Sequence, residues 1–218
     1  MRQLKLAMRM IKYAYGIVMN LAAMVLIGGG GIAVWIVTGG NNVQFLSTAV
    51  FFLALLPMFG VQIWYSMNSC ELLLSSSWKK AADTSIPTLI SVCGTLVMYT
   101  LVAALIVVRG GAGDAMQMFS LLWMAASAFL IMLLCGSCFK YFITSMIVFF
   151  LLYFGGSMVT IFYVQMSAFV LRLSAAAVIA IGYGLILAGG LGQYLLSCLF
   201  YKKNVSKLAQ GAALRKYL

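Results

Sequence analysis

The chain has 218 residues, of which 14 are Lys or Arg, 3 are Asp or Glu and none is His. Apolar types make up 65% and the mean hydropathy is +1.10, against about 45–50% apolar in a soluble domain, so polar groups are too few to cover a water-facing surface. This composition excludes a Ser-His-Asp triad, a His-ligated metal and an HExxH helix, and points to an all-α polytopic membrane protein. The net charge of +11 does not indicate nucleic-acid binding, because the cations occupy short segments between apolar runs.

Residues 1–15, MRQLKLAMRMIKYAY, come first. At about 100° per residue, Arg2, Lys5, Arg9 and Lys12 fall within an arc of about 80°. Leu4, Leu6, Met8, Met10 and Ile11 cover the remaining surface. This pattern predicts an amphipathic helix lying in the headgroup plane, with its cations on anionic lipids.

Lys12 and Glu71 bound a long charge-free window, which breaks at Thr38-Gly39-Gly40-Asn41-Asn42, a turn-forming cluster between apolar runs. Further charge-free windows run over 84–108, 115–139, 141–171 and 173–201. A helix crosses the hydrocarbon with about 20 residues, so the windows predict six spans at 16–37, 45–65, 87–108, 118–138, 142–164 and 175–200. The domain plan is an interfacial helix (1–15), a six-helix transmembrane domain (16–200) and a basic tail (201–218). No cleaved signal peptide is expected, since the first apolar run begins late and continues into a second span.

Even span number places both termini on one side, with Arg2, Lys5, Arg9, Lys12, Lys79, Lys80, Lys140, Lys202, Lys203, Lys207, Arg215 and Lys216. Only Arg109 and Arg172 fall on the other. By the positive-inside rule the crowded side is cytoplasmic.

The inner connection 66–86 differs from every other loop, being longer than the usual two to eight residues or so between packed helices. It carries Glu71-Leu72-Leu73-Leu74, a serine triplet, Trp78, Lys79-Lys80 and Asp83. Apolar anchors within a mixed-charge stretch suit a docking surface for a cytoplasmic partner. Pro87 starts the third span, since proline is tolerated in a helix's first turn.

No predicted span has an ionisable Asp, Glu, Lys, Arg or His near its middle, which argues against proton-driven machinery. The buried polar candidates are neutral: Asn20, Gln62, Thr95, Tyr99, Ser127, Thr160 and Gln193. Each is expected to bond across helices or to nearby backbone, with Gln62 and Thr160 as candidates to line a path. Gly184, Ala188 and Gly192 recur every four residues in span six, a small-residue face for close helix packing. Gly28–Gly31 marks a kink or a close contact in span one. Fifteen methionines give an adaptable apolar surface suited to varied amphipathic cargo. Cys135 and Cys138 form a CxxC pair with no further ligands for zinc, and read as small packing residues.

This layout, from the basic N-terminal helix through the hairpin and the long inner loop to four further spans and the tail Tyr201-Lys202-Lys203-Asn204, resembles the six-span permease subunits of type-2 ABC exporters. The stretch Glu71-Leu-Leu-Leu-Ser-Ser-Ser-Trp-Lys-Lys looks like the family's inner loop after span two. The resemblance implies a coupling helix there, with Glu71, Leu73, Trp78, Lys79 and Lys80 against a separate ATPase subunit. It further implies a second permease subunit, identical or a paralogue, in a bacterial cytoplasmic membrane. The chain has no GxxxxGK[ST], so it would be a non-catalytic subunit holding no cofactor, with ATP and magnesium on the partner. Cargo in such exporters includes lipids, drugs and peptides, and compact members of this kind export peptides. The loop 165–174 leaves room for only a very short re-entrant helix before span six. An ion-coupled secondary transporter or channel is the alternative. An intramembrane enzyme is disfavoured, since no Lys lies at depth to activate a nucleophile.

Overall fold

The computed structural model describes residues 17–38, 43–68, 79–138, 140–166 and 173–203. The expected interfacial helix with Arg2, Lys5, Arg9 and Lys12, the stretch holding Glu71, Leu73 and Trp78, and the tail from residue 204 onward lie outside the described residues.

The described chain is helical and contains no strand. Its α-helices are α1 (Ile17–Thr38), α2 (Val43–Asn68), α3 (Lys79–Asp83), α4 (Ser85–Val108), α5 (Ala115–Ser137), α6 (Phe142–Met166) and α7 (Ala175–Phe200). Long apolar segments fold this way because a helix satisfies every interior backbone group within its own segment. All six long helices begin and end within three residues of the bounds that the charge-free windows predict. By length and composition, Lys80–Val108, Ala115–Ser137 and Ala175–Phe200 suffice to cross a membrane. Val18–Val34, Ala49–Tyr65 and Phe142–Gly156 form shorter apolar stretches. These lengths are compatible with a membrane protein.

Local chemistry ends the helices where turns are needed. Arg109 closes α4, and Gly110 follows at φ 76°, a left-handed conformation that glycine adopts without a Cβ clash. A 3₁₀ turn over Gly111–Gly113 leads to Asp114, whose carboxylate accepts the Met116 amide at 2.9 Å and caps α5. Ser174 caps α7 in the same manner, accepting from Ala177 at 3.3 Å.

α5 is the centre of the bundle, packing against α7, α2, α4 and α6. α1 docks mainly on α2, and α4 bridges α2, α5 and α7. Gly28 and Gly31 of α1 face α2, where a Cβ at Gly31 would stand 3.0 Å from the Ala49 carbonyl; the glycine run is thus a close contact. Pro57 lies buried inside α2, beside Gly94 of α4.

The connection 66–86 is shorter than expected. α2 continues to Asn68, and the chain is helical again from Lys79, with only Thr84 between α3 and α4. The Thr84 hydroxyl donates to the Lys80 carbonyl at 2.7 Å, and its amide donates to the same carbonyl at 3.0 Å. α3 and α4 are in this way nearly continuous. Pro87 is the third residue of α4, where no intrahelical donor is lost.

Candidate functional site

The alternation of the long helices brings α3, the α5–α6 corner and the end of α7 to one end of the bundle. Lys80, Lys140, Lys202 and Lys203 gather there with Asp83. The opposite end carries Arg109 and Asp114 among the described residues.

Three contacts tie α3 into this basic end. Trp64, near the end of α2, donates its indole N–H to the Ala82 carbonyl at 2.8 Å. Both residues are buried, so this bond satisfies two groups that would otherwise be desolvated without a partner. Asp83 pairs with Lys140 at 3.7 Å, with side chains only 9% and 11% exposed. Lys140 is the sole cation between the charge-free windows 115–139 and 141–171, and the pairing joins α3 to the α5–α6 corner. The Lys80 ammonium stands 5.8 Å from the Tyr201 ring centroid, within cation–π range, linking α3 to the end of α7.

A second cation–π contact lies alongside. The Lys203 ammonium is 5.4 Å from the centre of the Tyr141 ring, which meets Phe200 edge-on at 5.0 Å. Tyr141 and Phe200 also line a groove of about 440 Å³ bounded by α5, α6 and α7. Leu130, Leu133, Val148 and Leu196 form its apolar walls, and Ser137, Thr144 and Ser145 stand toward the basic end. Ser145 donates to the Ser137 hydroxyl at 2.9 Å.

The expected site residues are distributed unevenly over this geometry. Lys79 and Lys80 belong to α3, with Lys80 exposed. Gln62 is half-buried in α2; Thr160 belongs to α6, and its side chain lies outside the described residues. On α7, Gly184 and Ala188 are exposed, and a Cβ at Gly184 would meet nothing within 4 Å. The helix instead turns Gly182, Ile186, Gly189, Gly190, Gln193 and Ser197 inward. Gly192 borders Leu133. The closest approach to backbone is at Gly136 of α5, where a Cβ would lie 2.8 Å from the Gln193 carbonyl oxygen and 3.1 Å from its Cα. That approach buries Gln193 completely, and neither polar atom of its amide has a hydrogen-bond partner among the described residues. Gln193 therefore departs from the expected pattern of interhelical bonding. Tyr99 follows it more nearly, its hydroxyl reaching the Ile179 carbonyl at 3.5 Å. Cys135 and Cys138 are buried free thiols, and no cluster of three or more potential metal ligands exists among the described residues.

In the sequence Lys140, Tyr201 and Lys203 stand only as topological charge and tail, and no pattern marks Trp64. The isolation of Lys140 between two apolar windows was the available signal, since a lone cation there needs a counterion when buried. Comparison with family models, curated proteins and solved structures returns no match.

Proposed function

We propose that this chain is a six-span permease subunit of an ATP-driven exporter, with α1, α2, α4, α5, α6 and α7 crossing a bacterial cytoplasmic membrane. The basic end faces the cytoplasm by the positive-inside rule. A separate ATPase subunit, carrying ATP and magnesium, docks on the segment between α2 and α4. A second permease subunit completes the translocation path for an amphipathic or hydrophobic cargo, with peptides as the favoured class. This chain itself is non-catalytic.

The observation that carries the reading is the fastening of α3. Its contacts with Trp64, Lys140 and Tyr201 reach α2, the α5–α6 corner and the end of α7. A displacement imposed on residues 66–86 would therefore be delivered to several spans together, as a coupling element requires. Packed helix interfaces convert such a push into a change between discrete arrangements. Glu71, Leu73, Trp78, Lys79 and Lys80 supply the mixed-charge and apolar groups for the ATPase contact.

Purification from the native membrane tests this directly, with a cysteine cross-linker placed at Ser76. The expected outcome is a Walker-motif ATPase that co-purifies and cross-links at Ser76, and whose cargo-stimulated hydrolysis falls in Trp78→Ala. Absence of any co-purifying ATPase, together with no cross-link, would sink the proposal. An ion-coupled carrier or channel is favoured by one separate observation: the buried, neutral and unpartnered amide of Gln193, since sodium sites in such carriers are built from uncharged oxygens. Transport that follows a sodium gradient without ATP would select that reading.

A further inference from the structure

We propose that the groove between α5, α6 and α7 is a binding site for one anionic phospholipid, with an acyl chain along its apolar walls and the phosphate on Lys203. The inference requires only that the bundle sits in a membrane and is independent of the exporter reading.

The groove has a polarity gradient along its length. Leu130, Leu133, Val148 and Leu196 supply aliphatic surface, and its volume of about 440 Å³ lies within the range of about 300–1,000 Å³ usual for small-molecule sites. Tyr141 and Thr144 stand at the other end, on the first residues around the start of α6. That end borders the Lys203 ammonium, held 5.4 Å above the Tyr141 ring. An apolar groove that ends in hydroxyls and a cation matches a phospholipid from acyl chain to phosphate.

Charge selects the lipid over other occupants. Asp83, the one acid at this end among the described residues, is already matched by Lys140. Lys80, Lys202 and Lys203 are exposed and leave this end of the bundle with a positive excess, of which Lys203 is held over a ring that lines the groove. Seated in this groove, a second copy of the chain would set its own basic end against Lys203, and residues 1–15 carry four cations of their own; neither supplies the anion that Lys203 lacks there. Anionic headgroups populate the cytoplasmic leaflet, and basic pockets between spans take them up.

The test uses the full chain in vesicles of phosphatidylcholine and phosphatidylglycerol, with a photoactivatable group in the acyl chain of one lipid at a time. Labelled phosphatidylglycerol is expected to cross-link to residues 130–152 and 196–200 in preference to labelled phosphatidylcholine. Lys203→Ala should reduce that preference about fivefold, the loss expected for one cation at a membrane surface, and Lys203→Arg should retain it. Lys80→Ala, which changes a cation placed at Tyr201 instead, should leave it nearly intact. Equal labelling by the two lipids, equal losses in the Lys203→Ala and Lys80→Ala chains, or cross-links from the groove to a second copy would each overturn the proposal.

Discussion

α5 and α6 are neighbours of similar length and similar apolar character, yet they occupy opposite situations. α5 turns residues inward on nearly every side, from Met118 and Leu121 through Ala125 and Ala128 to Ile131 and Gly136. α6 buries only Ser145 and Phe149 among its described side chains and exposes Ile147, Phe150, Leu151 and Phe154. Hydrophobicity does not separate them, because lipid tails are as apolar as leucine. Side-chain size does. The middle of α5 is Ala125-Ala126-Ser127-Ala128, and Gly136 follows two turns later, so several helices can approach one axis. The middle of α6 is Phe149-Phe150-Leu151-Leu152-Tyr153-Phe154, whose bulky rings hold the helix off, as in the 4.3 Å contact of Tyr153 with Phe51.

Substitutions sharpen this contrast. The largest effect is expected from Gly136→Leu, because its Cβ would meet Gln193 backbone, which cannot rotate away. Overpacking of this kind costs about 1–3 kcal/mol, and the upper end applies here; thermal unfolding of the purified protein in detergent measures it. Gly184→Leu, with open space around the site, should change stability by less than about 0.5 kcal/mol.

Next in size is Lys140→Ala at the junction between the two helices. It removes the ion-pair partner of a carboxylate that is only 9% exposed. Breaking a buried pair from one side costs about 3–5 kcal/mol, reduced here to about 2 because the separation of 3.7 Å is long and the site is at the bundle's end. Lys140→Met combined with Asp83→Asn should lose less than the sum of the single changes, which a double-mutant cycle reads out. Additive losses would show that the pair does not couple the corner to α3.

Trp64→Phe keeps the ring but removes the donor to the Ala82 carbonyl. A loss of about 1 kcal/mol is expected, with faster hydrogen exchange confined to residues 79–84. Exchange that rises equally across α2 would mean that Trp64 stabilises its own helix and not the α2–α3 junction.

The smallest effect belongs to Leu151→Ala on α6, at a side chain 69% exposed. A stability change within about 0.5 kcal/mol is expected, as for other positions without close packing. A loss of 2 kcal/mol or more, on the scale of a core truncation, would break the comparison by showing that α6 is covered by a further chain.

The same contrast explains what could be read beforehand. Helix positions were legible because charge is confined to short segments, so Lys12, Lys80, Arg109, Lys140 and Lys202 punctuate the chain almost as well as the structure does. Which face of a helix turns inward was not legible in the same way. Gly184, Ala188 and Gly192 show the spacing of a packing stripe, but Gly182, Ile186 and Gly189 show a comparable one about 130° away, and α7 buries the latter. Spacing identifies a face, and only the neighbours decide its direction. The pairing of Asp83 with Lys140 spans more than fifty residues, so no local pattern announced it, although a chain with three acids offered few partners for a buried lysine.

Pro57 sets where α2 can give. Lacking an amide hydrogen, it leaves the Leu53 carbonyl without its helical donor, so bending stiffness drops there relative to the rest of the rod. On one side of this soft joint, Leu53 and Leu56 are clasped by Gly31 and Gly28 of α1; on the other, the arm ends in Trp64 and its grip on Ala82. A torque applied at Trp64 is thus taken up as flexure at the proline before it can shear the α1–α2 contact, and α2 behaves as a jointed lever with one clamped arm.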